Sequence, residues 1–140
     1  MSLEIYDRRT VLRLSTATMA TLSTAGCLGG QSSSVQTVTM PGDLKFDPKT
    51  AMIKPGGSVT WTNESEIEHT VTAYEDEIPD AAAYFASGGF ESERAARNRV
   101  SEGLIAPGES YEQTFDQPGT YGYFCIPHEG SGMVGTVRVR

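Results

Sequence analysis

The feature that most constrains this chain is a group of metal-ligand side chains near its C-terminus. Cys125, His128 and Met133 follow one another with the spacing Cys-x2-His-x4-Met, in a segment rich in glycine. His69, far upstream, is the only other histidine among the 140 residues. A thiol, two imidazoles and a thioether meet at one metal ion only if the fold brings His69 to the C-terminal loop.

These donors are the ligand set of an electron-transfer copper site. Soft sulfur ligands favour Cu(I), whereas imidazole is acceptable to both Cu(I) and Cu(II). We expect Cys125 to end one strand, His128 to lie in the turn and Met133 to begin the next strand. Taken singly, each residue has an ordinary interpretation, such as a buried cysteine or a core methionine. Taken together, the residues predict a copper site with His69, Cys125, His128 and Met133 as ligands.

Most of the chain after residue 34 has the pattern of short β-strands. Apolar and polar residues alternate in 35–40, 58–62 and 135–140, and Pro, Gly and Asn/Asp separate such runs. This spacing predicts an all-β antiparallel sandwich. The natural core candidates are aromatic: Phe46, Trp61, Phe115 and Tyr121.

Residues 79–100 are the exception to this pattern. Asp80 is placed to cap a helix over 81–86, and Ser92 is placed to cap a second helix over 93–99. One interpretation is a short helical insertion that covers an edge of the sandwich. The other is a partner-docking flap, because the segment carries the only clustered positive charge after the leader: Arg94, Arg97 and Arg99.

The motifs resemble those of a known family. The run Cys-x-Pro-His-x-Gly-x-Gly-Met-Val-Gly at 125–135 closely resembles the copper loop of plastocyanins and of their haloarchaeal relatives, the halocyanins. The stretches 54–63, 69–71 and 106–111 resemble the other signatures of the family, so that the resemblance covers about residues 38–140. It implies a Greek-key, cupredoxin-like sandwich with one type 1 (blue) copper ion held by the four ligands named above.

The resemblance also implies what the protein does. Plastocyanins transfer single electrons between redox proteins and are not enzymes, so we expect a monomeric carrier with a protein donor and acceptor and no small-molecule substrate. His128 is expected nearer to solvent than the other ligands. Asn63 and Thr70 are placed to help fix Cys125 and the His69 strand, as hydrogen bonds around metal ligands commonly do.

Three positions depart from the plastocyanin pattern. Glu68 stands where plastocyanins have proline, Ser131 where they have a small apolar residue, and Phe124 where they have a tyrosine implicated in partner contact. None of the three is a metal ligand. The departures concern the surface that a redox partner would meet.

The first part of the chain is interpreted as a targeting segment. Residues 7–13 resemble a twin-arginine export motif, and the sequence Thr-Ala-Gly-Cys ending at Cys27 resembles a lipobox. We therefore expect a signal peptide at 1–26, a lipidated Cys27 with a flexible tether at 27–34, and the copper domain at 35–140. An ordinary cleaved signal, with Cys27 incidental, is the alternative. The expected location is the outer face of the cytoplasmic membrane, with membrane respiratory components as partners.

Charge and cysteine content argue against two interpretations: a nucleic-acid-binding protein and a disulfide-linked domain. The net charge is −7, and lysine and arginine form no groove-like basic patch after the leader, which argues against nucleic acid as a partner. A disulfide between the two cysteines is rejected, because it would use the only thiolate available to the metal.

Three rival functions use the same side chains. Copper storage or delivery usually relies on exposed clusters of Met or Cys, whereas Met40 and Met52 are the only other methionines after the leader. A cysteine-nucleophile enzyme would pair Cys125 with a histidine, but it leaves Met133 unexplained. Zinc binding at the same residues is the third. Reversible one-electron cycling separates electron transfer from all three.

Overall fold

The computed structural model describes residues 34–140, which form two β-sheets and one short α-helix. The predicted all-β, cupredoxin-like sandwich is confirmed, since both sheets contribute to one hydrophobic core. The strands are β1 (Val35–Met40), β2 (Thr50–Ile53), β3 (Gly57–Asn63), β4 (Thr72–Ala73), β5 (Ser110–Phe115), β6 (Gly119–Phe124) and β7 (Val134–Val139). Helix α1 (Glu93–Asn98) lies between β4 and β5, and short 3-10 segments occur at Glu75–Glu77, Val100–Gly103 and Ile126–Ser131, the last with a kink at His128.

The two sheets are mixed, whereas the strand pattern predicted a sandwich that is antiparallel throughout. One has the strand order β1-β3-β5 and the other has the order β2-β7-β6-β4. Strand β1 pairs with β3 in parallel, and β2 pairs with β7 in parallel, whereas the remaining pairs are antiparallel. The two parallel pairs arise because consecutive strands β1 and β2 belong to different sheets. Alternation along one strand does not reveal this, since it reports only which face is buried.

The core is built by strand alternation. In β3, Val59 and Trp61 are fully buried, while the alternate residues Ser58, Thr60 and Thr62 are half-buried. Trp61 packs edge-on against Tyr123 of β6, with ring centroids 5.3 Å apart, so this pair links the two sheets. All four predicted core aromatics are buried: Phe46, Trp61, Phe115 and Tyr121.

The insertion at 79–100 covers the edge strand β4. Helix α1 begins as predicted, because the Ser92 hydroxyl accepts a hydrogen bond from the Ala95 amide at 3.1 Å. The helix predicted over 81–86 is wrong. That segment is a turn followed by extended chain, in which the Phe85 carbonyl accepts a hydrogen bond from the Ala73 amide of β4. Pairing with β4 and burial of the Phe85 side chain outweigh the local helix preference of alanine.

The predicted ligand Cys125 and the start of β1 lie at opposite ends of the sandwich. At one end, β3 finishes at Asn63 and β6 finishes at Phe124, directly before the predicted ligand Cys125. At the other end, the Ser34 carbonyl accepts a hydrogen bond from the Ser58 amide at 2.9 Å, where β1 and β3 begin. The chain therefore enters the sandwich at the end opposite to the C-terminal ligand loop.

The predicted signal peptide (1–26) lies outside the described residues, as do Cys27 and the tether up to residue 33. Those predictions therefore stay predictions. Between residues 34 and 140, no helix is long and apolar enough to cross a bilayer.

Candidate metal centre

Three of the predicted ligands lie in one short connection between β6 and β7, which we call the copper loop (residues 125–133). A 3-10 turn over Ile126–Ser131 shortens the loop, and Gly132 ends it with a φ of 89°, a left-handed conformation that glycine adopts without strain. The Cys125 amide donates to the Met133 carbonyl at 3.0 Å, and the Met133 amide donates to the His128 carbonyl at 3.3 Å. These bonds close the loop and bring its three donor side chains to one side.

The structure brings His69 to this loop. Its Nδ1 lies 3.3 Å from His128 Nδ1 and 3.7 Å from Cys125 Sγ, and His128 Nδ1 lies 3.4 Å from the same sulfur. The three donor atoms therefore form a compact triangle, all within 4.8 Å of one another. Cys125, His69 and Met133 are fully buried, whereas His128 is partly exposed.

The residues present fit a copper ion. The described part of the chain places two imidazole nitrogens and one thiol sulfur around a single point, with a buried thioether in the same loop. Two histidines, one cysteine and a weak methionine are the donor set of an electron-transfer copper site, whereas hard cations require carboxylate and carbonyl oxygens. Copper is thus the cofactor that this chemistry selects.

His69 is held by backbone and side-chain bonds on its far side. Its backbone forms an antiparallel bridge with Ile105, with N–O distances of 3.3 and 2.7 Å. Its Nε2 lies 2.9 Å from the Ser65 hydroxyl oxygen. That hydroxyl lies 2.7 Å from Asn63 Oδ1 and 3.0 Å from the Ile67 carbonyl, both of which only accept hydrogen bonds. The Ser65 proton therefore goes to one of them, and Ser65 accepts the proton of His69 Nε2.

This arrangement leaves Nδ1 of His69 without a proton and turned toward the metal position. Asn63 has a fixed amide orientation, because its Nδ2 donates to the carbonyls of Ile67 and Ile105 at 2.8 and 2.9 Å. Sequence reasoning singled out Asn63 but missed Ser65. The available signal was the spacing Asn-x-Ser-x3-His, which places a hydroxyl in the turn that precedes the ligand.

Thr70, the other residue predicted to support the ligands, directly follows His69 and contacts the copper loop. Its backbone amide donates to Cys125 Sγ at 3.4 Å, and its hydroxyl accepts a hydrogen bond from the Ile126 amide at 2.8 Å. One residue thus contacts both the sulfur and the backbone that follows it. Such contacts fix the orientation of a ligand and adjust its electron density.

Burial sets the protonation of the ligands in the absence of metal. It raises the pKa of the Cys125 thiol above its ordinary value, against the opposing effect of the hydrogen bond from the Thr70 amide. Burial, reinforced by the neighbouring His128, lowers the pKa of His69. His69 is therefore neutral and ready to bind, whereas Cys125 becomes a thiolate when a metal displaces its proton.

The three positions that depart from the plastocyanin pattern lie around the ligands. Glu68 and Ser131 are exposed on the surface beside His69 and His128. Phe124 is fully buried, because Tyr74 stacks on its ring with a centroid separation of 4.3 Å and the Arg97 guanidinium carbon lies 4.3 Å from the ring centroid. The aromatic side chain before the cysteine is thus covered by other parts of this chain.

Comparisons with known proteins agree with this geometry. A family model for copper binding proteins of the plastocyanin/azurin family matches residues 33–140. The plastocyanin of Scenedesmus fuscus is 42% identical over 99 residues, which cover 71% of this chain and 90% of that protein. The plastocyanin of Lactuca sativa is 36% identical over 98 residues, which cover 70% of this chain and 90% of the relative.

Solved structures show the same fold at lower identity. A purple cupredoxin from Nitrosopumilus maritimus superposes with a TM-score of 0.56 at 21% identity, over 75% of this chain and 99% of that one. A mutant fern plastocyanin superposes with a TM-score of 0.54 at 24% identity, over 74% and 99% of the two chains. The particular resemblance to halocyanins stays a prediction. The matched family and the copper-ligand geometry lead to one conclusion: this chain belongs to the plastocyanin/azurin family of copper binding proteins.

Proposed function

We propose that this protein is a one-electron carrier, exported and tethered to the outer face of the cytoplasmic membrane, that serves membrane-associated redox partners. The observation that carries the electron-transfer part is the triangle of His69 Nδ1, Cys125 Sγ and His128 Nδ1 in the same loop region as the buried Met133. Bound copper supplies the Cu(I)/Cu(II) couple. Four side chains of the chain itself would hold the metal, whereas Lewis-acid catalysis needs an open position for substrate.

The protein residues keep the donor atoms in place while the charge of the centre changes. His69 is fixed through Ser65 and Ile105, and Cys125 is fixed through Thr70. The bonds at both ends of the copper loop restrain its remaining ligands. A donor set that does not move between oxidation states costs little reorganisation. His128 is the partly exposed ligand and is the route by which an electron reaches the surface.

The enzymatic alternative conflicts with the environment of Cys125. Catalytic cysteines are accessible and have a lowered pKa, because the thiolate is the nucleophile. Cys125 is fully buried, and its burial raises the thiol pKa. This environment favours a metal ligand over a nucleophile.

Copper storage or delivery is the second candidate, and the position of the donors disfavours it. Proteins that pass copper on must expose soft ligands to the receiving protein. Here Met133 and Cys125 are fully buried, Met40 packs in the core, and Met52 is exposed on β2, the strand next to β7. The described residues therefore offer no exposed cluster of sulfur ligands.

The decisive experiment is a visible absorption spectrum of the leader-free protein after addition of Cu(II), recorded beside a Cys125→Ser control. An intense blue band that disappears on reduction and returns on oxidation supports a redox-active copper–thiolate site. A band that survives the Cys125→Ser substitution contradicts the ligand assignment. Loss of copper during repeated cycles supports storage or delivery instead.

Tethering rests on the lipobox-like sequence at Cys27 and needs its own experiment. We expect the full-length protein in the membrane fraction and the Cys27→Ser variant in the soluble exported fraction. Replacement of Arg8 and Arg9 with lysine should retain both forms in the cytoplasm. A Cys27→Ser variant that stays with the membrane would contradict lipid anchoring while leaving the copper chemistry intact.

A further inference from the structure

Helix α1 is joined to the copper loop by one arginine. The Arg97 guanidinium binds the Glu129 carboxylate in a two-point contact, with Nη1–Oε1 at 2.9 Å and Nη2–Oε2 at 3.3 Å. Its Nε donates to Glu93 of the same helix at 2.9 Å. Glu129 directly follows the ligand His128. The insertion at 79–100 therefore reaches the residue next to the partly exposed ligand.

Two aromatic side chains complete this contact. The Arg97 guanidinium lies over the Phe124 ring, and Tyr74 stacks on the same ring. The Tyr74 hydroxyl donates to Glu129 Oε2 at 2.7 Å. We call Arg97, Glu129, Phe124 and Tyr74 the Arg97 cluster. Two residues of the cluster are adjacent in sequence to metal ligands: Phe124 directly precedes Cys125, and Glu129 directly follows His128.

The cluster is more than an ordinary surface ion pair. An isolated exposed pair contributes little to stability, because water screens it and both side chains lose freedom. Here the contact has two-point geometry, and a hydroxyl and a cation–π contact hold the same groups. The side chains of Arg97 and Glu129 are 37% and 33% exposed, so the pair is partly shielded from solvent.

We propose that Arg97 is a positioning residue for the copper loop: it holds Glu129, and through Glu129 it fixes His128 in a geometry suited to both oxidation states. The inference deepens, and rests on, the proposed electron-transfer function. It also replaces the docking-flap interpretation for Arg97, whose charge is engaged by Glu93 and Glu129 rather than free for a partner.

The proposal predicts two separable effects of Arg97→Gln. Without the guanidinium, the copper loop opens more often, because the two-point contact of Glu129 with helix α1 is lost and only the Tyr74 hydroxyl still binds this carboxylate. In addition, the Glu129 carboxylate is left without its counter-charge near the metal, which favours the oxidised state and lowers the reduction potential. Glu129→Gln has the same effect on the loop and the opposite effect on the potential, because it removes a negative charge beside the ligand His128 while Arg97 keeps its contact with Glu93.

The experiment compares hydrogen exchange of the copper-loop amides in the purified protein, with and without copper, together with the reduction potential. For Arg97→Gln we expect loop exchange about three- to tenfold faster than in the wild type, the change in local opening that corresponds to the net contribution of one hydrogen-bonded contact. Arg94→Gln, on the same helix, is the matched control and should exchange like the wild type. Arg97→Lys, which keeps the charge without the two-point geometry, should fall between them.

The outcomes decide the proposal. Faster loop exchange in both Arg97→Gln and Glu129→Gln, with potentials that move in opposite directions, supports it. Unchanged loop exchange in Arg97→Gln, or an equal increase in Arg94→Gln, overturns it. If Arg97→Gln does not fold, Arg97→Lys and Glu129→Gln decide by the same criteria.

Failure of this proposal is distinguishable from failure of the proposed function. Exchange in the copper-free protein needs neither metal nor electron transfer, so it reports on the Arg97 cluster alone. A blue, redox-active protein with unaltered exchange in Arg97→Gln would refute only the positioning role. A colourless protein whose loop loosens in Arg97→Gln would refute the electron-transfer function and leave the structural contact established.

Discussion

The Ser65 hydroxyl decides which nitrogen of His69 faces the metal. Because its proton is directed to Asn63 Oδ1 or to the Ile67 carbonyl, its oxygen accepts from His69 Nε2 and leaves Nδ1 bare. The residue is buried, so water does not replace it readily. A single hydroxyl thus selects the tautomer and fixes the ring, which is the usual role of a hydrogen-bond partner behind a ligating histidine.

We expect Ser65→Ala to lower copper affinity by about ten- to a hundredfold, the range for loss of such a partner. The fold should persist, because the residue 65 amide still donates to Asn63 Oδ1. Competition with a chelator of known affinity measures the effect. Ser101→Ala, at an exposed position in a 3-10 turn, is the control. Equal affinity in Ser65→Ala and the wild type would contradict this role.

Thr70 contributes through two different groups, and substitution can separate them. Thr70→Val keeps the amide that donates to Cys125 Sγ but removes the hydroxyl that accepts from the Ile126 amide. An amide left without a partner should lower the free energy of unfolding by about 1–3 kcal/mol. Urea unfolding of the copper-free protein measures this loss. Thr70→Ser should restore most of the stability, and a Ser variant as unstable as the Val variant would refute the assignment.

At the scale of elements, the insertion at 79–100 contains one segment whose local helix preference determines its structure and one whose preference is overridden by pairing with β4. Helix α1 forms because Ser92 caps it and because no neighbouring strand pairs with its backbone. The segment 81–86 has the composition of a helix but pairs with the edge strand β4 and buries Phe85. Covering an unpaired strand edge outweighs the helix preference of the four alanines in this segment.

Because α1 has fewer than two full turns, its cap matters for the whole element. Ser92→Ala should lower the free energy of unfolding by about 1 kcal/mol and increase hydrogen exchange at the Ala95 amide. Ser92→Asn, which retains an accepting side-chain oxygen, should behave like the wild type. The prediction fails if Ser92→Ala and Ser92→Asn give the same exchange at Ala95.

At the scale of the whole molecule, the sequence sufficed for the fold class, the core aromatics and the residues that converge at the metal position. Those features depend on strand alternation and on an ordered motif, which are local in the chain. The parallel pairing of β1 with β3 and of β2 with β7, the Ser65 hydrogen bond and the contact of Arg97 with Glu129 were not predicted. Each depends on which distant segments become neighbours. Arg97 and Glu129 are 32 residues apart, and no sequence motif predicts that they form an ion pair.

The acidic character of the chain, with a net charge of −7, should appear in its reaction rates. We expect electron exchange with a cationic redox reagent to slow as salt is added, because screening removes the attraction. Exchange with an anionic reagent should accelerate under the same conditions. Stopped-flow rates at several ionic strengths test both signs, and identical salt dependence for the two reagents would exclude an electrostatic contribution.

The position of Ser34 in the sandwich determines how far the metal ligands lie from the segment that precedes the folded domain. Ser34 binds at the start of β3, whereas the ligands gather beyond the end of that strand, about 20 Å away at the usual rise per residue. A lipid anchor at Cys27 would thus be joined to the end remote from the metal. Under the anchoring proposed above, a redox partner would thus reach His128 at the end of the domain that does not carry the tether.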